Sequence, residues 1–282
     1  MENSEEHVEQ SSDVISNIQS SISVINETIA TLQKSSAKVE RPWFHQPTLI
    51  ISLVALLFSF GTTAVSYFRT KQQDVHEARS ELRTLILRLN QLPRENIELA
   101  KKYETDALTR GGLSGMLNAE NALVAKQAAD VIGRIPASVG ATEYMSVAYA
   151  LSQSNLLDAA LKLIKLALAA SNDVNDEVGV LRFYGQLLFS SGDLEGGREK
   201  FRSALSIFSK YPNANQYYVQ STHLLTEMYW AQAEAIARQC QYAKSHIAEA
   251  RVHLALLPPA PSTKGFEDQV YQTDPLVKAC VP

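Results

Sequence analysis

LRFYGQLLFSSGDLEGGREKFRSAL, residues 181–205, places two short apolar-periodic segments on either side of Gly192-Asp193. Leu181, Tyr184, Leu188, Phe201 and Ala204 recur at the three- and four-residue intervals that put side chains on one face of a helix. Gly192-Asp193 supplies the residue types that reverse a chain. Gly185 and Gly197 let two helices approach closely, and the large residues fill the space around them. The stretch predicts an antiparallel helical hairpin.

Working outward, the same pattern recurs. A shift of 37 residues towards the N-terminus gives Tyr144, Val147-Ala148, Leu151, Asn155, Ala160, Ile164 and Ala167. A shift of 46 towards the C-terminus gives Trp230-Ala231, Arg238, Ala243, Ile247 and Ala250. Recurrence of this kind marks stacked supersecondary units. The set Leu181, Tyr184-Gly185, Leu188, Gly192, Gly197, Phe201 and Ala204 resembles the tetratricopeptide repeat, with Gly197 where that family prefers alanine. The resemblance covers about residues 141–257. It implies stacked hairpins whose first helices line a concave surface for a peptide. Carried over by offset, the inward positions are Met145, Tyr149, Arg182, Gln186, Phe189, Met228 and Gln232. For Met145, Phe189 and Met228 the competing reading is ordinary core.

Around these units the chain reads as helices separated by turns at Arg110-Gly111-Gly112, Pro136–Gly140, Asn172-Asp173 and Tyr211–Asn213. No strand alternation intervenes. An all-α helical domain over residues 93–257 is the expectation, with Pro93 ending the preceding helix or opening the next. Residues 258–282, rich in Pro, Ser and Thr, read as a flexible tail in which Phe266, Val270 and Tyr271 either dock on the domain or offer a short linear motif. Cys240 and Cys280 form no metal-type spacing and read as independent thiols, with pairing in an oxidising compartment as the alternative.

On the N-terminal side, LIISLVALLFSFGTTAVSYF, Leu49 to Phe68, carries no charge. Twenty residues at about 1.5 Å each match the ~30 Å hydrocarbon core, so a transmembrane helix is expected over 47–68. Val75, Ala78, Leu82, Leu85, Leu89 and Leu92 then repeat at heptad spacing in a juxtamembrane stalk over 69–92. The stalk reads as self-associating or, because Ile86 and Leu87 widen its apolar stripe, as packing on the helical domain. Within the polar tail 1–46, Ile15, Ile18, Ile22, Ile25, Ile29 and Leu32 form a coiled-coil seam expected to support a homo-oligomer. Arg69, Lys71, Arg79, Arg83 and Arg88 outnumber Lys34, Lys38 and Arg41, which predicts a single-pass membrane protein with its C-terminal domain cytoplasmic.

The formal net charge of −4 is accounted for by residues 1–46, with seven acids and three bases. The remainder is near neutral and lacks the basic face that nucleic acid requires. There is no phosphate-binding loop, dinucleotide fingerprint, HExxH or GxSxG. His246 and His253 lie about 10 Å apart along a helix, too far to share a metal. Glu195 and Glu199 read as an exposed face beside Arg198 and Lys200. No catalytic, cofactor or metal residue is expected, and the chain does not read as an enzyme. The expectation is a membrane-anchored scaffold that binds a protein or peptide. The alternative is a signal-transmitting subunit relaying a change of state from the N-terminal tail through a continuous helix.

Overall fold

The computed structural model describes residues 23–31 and 47–280, and every regular element among them is helical. Residues 23–31 form α1. They are followed by α2 (Pro47–Lys102), α3 (Ala107–Arg134), α4 (Ala141–Gln153), α5 (Leu157–Ala170), α6 (Val174–Ser190), α7 (Leu194–Ser206), α8 (Gln216–Ile236), α9 (Cys240–Ala255) and α10 (Pro261–Lys278). The all-α class expected from periodicity is the observed one. The chain divides into two units, Met1–Lys71 and Gln72–Pro282.

In the first unit, Val24 and Ile29 of α1 are exposed and Ile25 is half-buried. Ile15, Ile18, Ile22 and Leu32 of the expected seam lie outside the described residues. The membrane anchor is corrected. Among the described residues, no helix is long and apolar enough to cross a membrane. The helix holding Leu49–Phe68 continues into the charged sequence beginning at Arg69, reaching 56 residues in all. The single-pass topology and the localisation derived from it therefore do not stand.

In the second unit, the segment expected as a stalk is part of the core. Ala78, Leu82, Leu89 and Leu92 are buried among Val124, Ala125, Ala128 and Val131 of α3 and Val147 and Leu151 of α4. Three ion pairs fix the contact: Arg79–Glu143 at 2.6 Å, Arg88–Glu120 at 2.6 Å and Arg134–Glu81 at 2.5 Å. Arg79 also donates to the Ser138 carbonyl at 2.7 Å. Of the two readings of this heptad, packing on the domain is the one observed. Pro93 neither ends nor starts a helix but lies inside α2. Arg110-Gly111-Gly112 is likewise not a loop. It sits in the first turns of α3, whose start is capped by Asp106 accepting from the Thr109 amide at 3.0 Å.

Three hairpins follow: α4–α5, α6–α7 and α8–α9. Their turns share one geometry. Asn155, Gly192 and Arg238 have φ of 59°, 90° and 59°, and no other described residue has positive φ. In each turn the next amide donates back to a carbonyl five residues earlier: Leu156 to Leu151 at 2.9 Å, Asp193 to Leu188 at 2.9 Å and Gln239 to Glu234 at 2.8 Å. This is the Schellman closure, in which a left-handed residue lets the chain satisfy the last helical carbonyls.

The hairpin interiors correspond too. Ala148, Ala160, Ala231 and Ala243 have no exposed surface, and Gly185 and Gly197 occupy the matching positions of the middle pair. There the two helices approach closely. A Cβ on Gly197 would lie 2.4 Å from the Phe189 ring and 3.0 Å from the Gly185 carbonyl. Ile164, Phe201 and Ile247 fill the corresponding holes.

Residues 258–280 are not the flexible tail that their composition predicts. α10 packs on α8 and α9, burying Val270, Thr273 and Val277. Gln232 donates to Thr273 at 2.8 Å, Arg251 pairs with Asp274, and Cys240 and Cys280 form a disulfide with Cα atoms 5.5 Å apart. The independent-thiol reading is thus corrected. Forty residues separate the two cysteines in sequence, which is why spacing alone does not reveal the pair.

Candidate functional site

The first helices of the three hairpins, α4, α6 and α8, line a groove of about 1030 Å³ in the second unit, with Asn90 of α2 at its edge. Each helix presents one face at helical spacing. Met145, Tyr149 and Ser152 come from α4, Arg182, Phe183, Gln186 and Phe189 from α6, and Tyr229, Gln232 and Ile236 from α8. The caps set the entry of α6 and α8. Asp173 accepts from the Asp176 amide at 2.9 Å, and Asn215 from the Tyr217 amide at 2.8 Å.

Of the seven positions predicted from offsets, Met145, Tyr149, Arg182, Gln186, Phe189 and Gln232 lie together on this groove. Met228 does not. It is 2% exposed, within the cluster formed by Leu224, Ala231, Ala243 and Ile247, so its core reading replaces the binding one. Phe189 lines the groove with one edge while packing on Phe201 at 6.1 Å between centroids. Gln232 spends its amide on Thr273 of α10.

Phe183, Tyr229 and Ile236 were missed. Tyr229, Gln232 and Ile236 follow at intervals of three and four, so the face of α8 was legible once Gln232 had been placed. Apolar surface is concentrated at the two ends. Tyr149 is 52% exposed with its ring 5.6 Å from Phe183, and Ile236 is 74% exposed.

Two arginines of the middle hairpin differ sharply. Arg198 of α7 is fully paired. It meets the fully buried Glu234 of α8 through two bonds of 2.7 and 2.9 Å, bonds Glu195 at 2.5 Å and lies 4.2 Å from the Tyr242 ring centroid. Glu234 also accepts from the Trp230 indole at 3.0 Å. Its hydrogen bond to Glu234 raises the pKa of Arg198 above the ordinary arginine value, and the bidentate pair joins the second and third hairpins. Arg182 of α6, by contrast, forms no salt bridge among the described residues. Its Nε and Nη1 are buried without a hydrogen-bond partner, and the guanidinium lies 5.6 Å from the Tyr229 ring centroid. Burial lowers its pKa, offset in part by Tyr229 and Tyr218.

The remaining candidates of the sequence are held within the fold. His246 bonds Glu227 through Nδ1 at 2.6 Å and stacks on Trp230 at 3.8 Å. His253 bonds Gln220 at 2.7 Å, and His223 bonds the Leu205 carbonyl at 3.0 Å. Glu199 pairs with Lys200 at 3.1 Å on the surface. Among the described residues, no three His, Cys, Asp or Glu side chains are placed to hold a metal ion.

No protein family, no curated protein and no solved structure matches the chain. The tetratricopeptide resemblance is corrected accordingly: the shared offsets belong to three hairpins of like geometry, and membership of that family does not follow from them.

Proposed function

We propose that this protein is an interaction module that holds a peptide segment of a partner protein in the groove of α4, α6 and α8. The observation that carries the reading is the composition of that surface. It combines exposed aromatic and aliphatic side chains, Tyr149 and Ile236, with the unspent amide-bearing Gln186 and the cation of Arg182 on three rigid helices. Concave surfaces mixing apolar anchors with a few polar groups suit an extended or helical peptide. Rigid helices also keep the ordering cost of binding on the peptide side.

Catalysis is the weaker reading, because His223, His246 and His253 are each held in a structural contact and, among the described residues, no acid or histidine lines the groove. A chemical site needs convergent titratable groups with freedom to exchange protons.

The test is affinity selection of a random ten-residue peptide library on the full-length chain. The expected binders lose affinity on Tyr149→Glu and keep it on Arg202→Gln, which changes the exposed face of α7. Binders indifferent to Tyr149, or no binders at all, would remove the groove from the account.

A further inference from the structure

Among the described residues, Arg182 is the only charged one lining the groove, and no aspartate or glutamate shares the surface with it. A guanidinium taken partly out of water without an acidic partner is an expensive arrangement, since burial costs an ion several kcal/mol unless hydrogen bonds and an opposite charge offset it. The same hairpin shows the offset arrangement in Arg198, where Glu234 accepts two hydrogen bonds and Glu195 a third. Nε and Nη1 of Arg182 are buried, and no group of the fold accepts from them.

The equivalent positions sharpen the point. Thirty-seven residues before Arg182 stands Met145, and forty-six after it stands Met228. Two hairpins fill this place with an uncharged side chain of similar length. The hairpin geometry itself does not call for a cation at this place.

Resting on the peptide-groove reading above, we infer that the groove recognises a carboxylate of its partner peptide, taken in by the Arg182 guanidinium between Tyr229 and the polar edge formed by Gln186. The partner carries an Asp or Glu side chain flanked by apolar residues that meet Tyr149 on one side and Ile236 on the other. Arginine matches a carboxylate through its charged N–H donors, and full engagement here requires the side chain to turn so that the buried Nε or Nη1 reaches the ligand. Charge complementarity selects the carboxylate, and the two apolar ends set its flanks.

The test uses the full chain and three peptide libraries identical but for one central residue: Glu, Gln or phosphoserine. Each is measured on the wild type and on Arg182→Met, a substitution the equivalent positions show to be compatible with the fold. The expected result is that Glu peptides bind the wild type and weaken roughly thirtyfold or more on Arg182→Met, the loss that follows removal of one partner of a buried charge pair. Gln peptides bind weakly and equally to both proteins. Without peptide, Arg182→Met melts higher than the wild type by about 2–4 °C, because the uncompensated cation is gone. Glu and Gln peptides that bind alike, with no effect of Arg182→Met, would overturn the carboxylate and leave the groove standing. Binding confined to phosphoserine peptides would overturn it in favour of a phosphate. A lower melting temperature for Arg182→Met would overturn it by showing that the fold already satisfies the guanidinium. Failure of all three libraries would bring down the groove and the carboxylate together.

Discussion

The middle hairpin and the last one reach the same backbone geometry by different means. α6–α7 turns on a glycine, packs glycine against glycine, and needs nothing outside its own 33 residues, Val174–Ser206, to explain its close crossing. α8–α9 turns on Arg238 in a left-handed conformation and crosses through Ala231 and Ala243. A third helix lies on it, fastened by a disulfide, an ion pair and the Gln232–Thr273 bond. The contrast teaches that a turn which costs free energy locally can persist when neighbouring elements over-determine it.

The strongest way to break the comparison is to remove that fastening. Cys240→Ser with Cys280→Ser opens a link between residues forty apart, which a chain-entropy estimate puts at about 4 kcal/mol. Urea unfolding of the double variant should lose stability on that scale. Amide exchange should rise first in Pro261–Lys278 and then in α8–α9, leaving α6–α7 as protected as before. Uniform loss of protection would mean that the hairpins do not differ in their dependence on α10.

Next in size is the close crossing itself. Gly197→Val forces side-chain atoms into the Phe189 ring and the Gly185 carbonyl, and should cost about 3 kcal/mol in urea unfolding. Ala243→Gly, the matching site of the last hairpin, should cost about 1 kcal/mol through helix propensity alone. Equal losses at the two sites would erase the distinction drawn between them.

A smaller gain is expected from Arg238→Gly, which relieves the left-handed conformation and should raise stability by up to about 1 kcal/mol. Gly192→Ala should move the other way by a similar amount. A loss on Arg238→Gly would show that the Arg238 side chain contributes more than its backbone conformation costs.

The smallest effect concerns His223 of α8, which faces Phe208, His253, the Leu205 carbonyl and Glu227. Burial, and then His253, hold its pKa below the ordinary histidine value against the pull of Leu205 and Glu227. The unfolded chain therefore takes up the proton first. Stability from this group is complete above about pH 6.5 and declines as the pH falls towards the folded-state pKa. His223→Gln should flatten that part of the melting-temperature profile.

What could be read in advance follows from the range of the forces involved. The hairpins were legible because helical periodicity and turn chemistry are local: Gly185, Gly192, Gly197 and Phe201 carry their reasons within one stretch. The groove face was largely legible for the same reason, since offsets of 37 and 46 residues map Tyr149 onto Gln186 and Gln232. Met228 failed because an offset identifies a position and not its exposure, which depends on α9 and α10. The disulfide and α10 were hidden because Cys240 meets Cys280, and Gln232 meets Thr273, only after three helices have packed. Arg182 was placed on the groove by its offset. Its missing partner was invisible, because the absence of acids around a side chain is a property of three helices at once. Leu49 to Phe68 misled by length, since an uncharged run in the sequence does not say where its helix stops.

The most direct test of the groove as the binding surface is photo-crosslinking. Benzoylphenylalanine is placed at Gln186 on α6 or at Arg202 on the exposed face of α7, in the full chain, and irradiated with a selected ten-residue peptide. The account predicts that the peptide is captured from position 186 and not from position 202, and that capture is lost on Tyr149→Glu. Capture from 202, or equal capture from both, would contradict it.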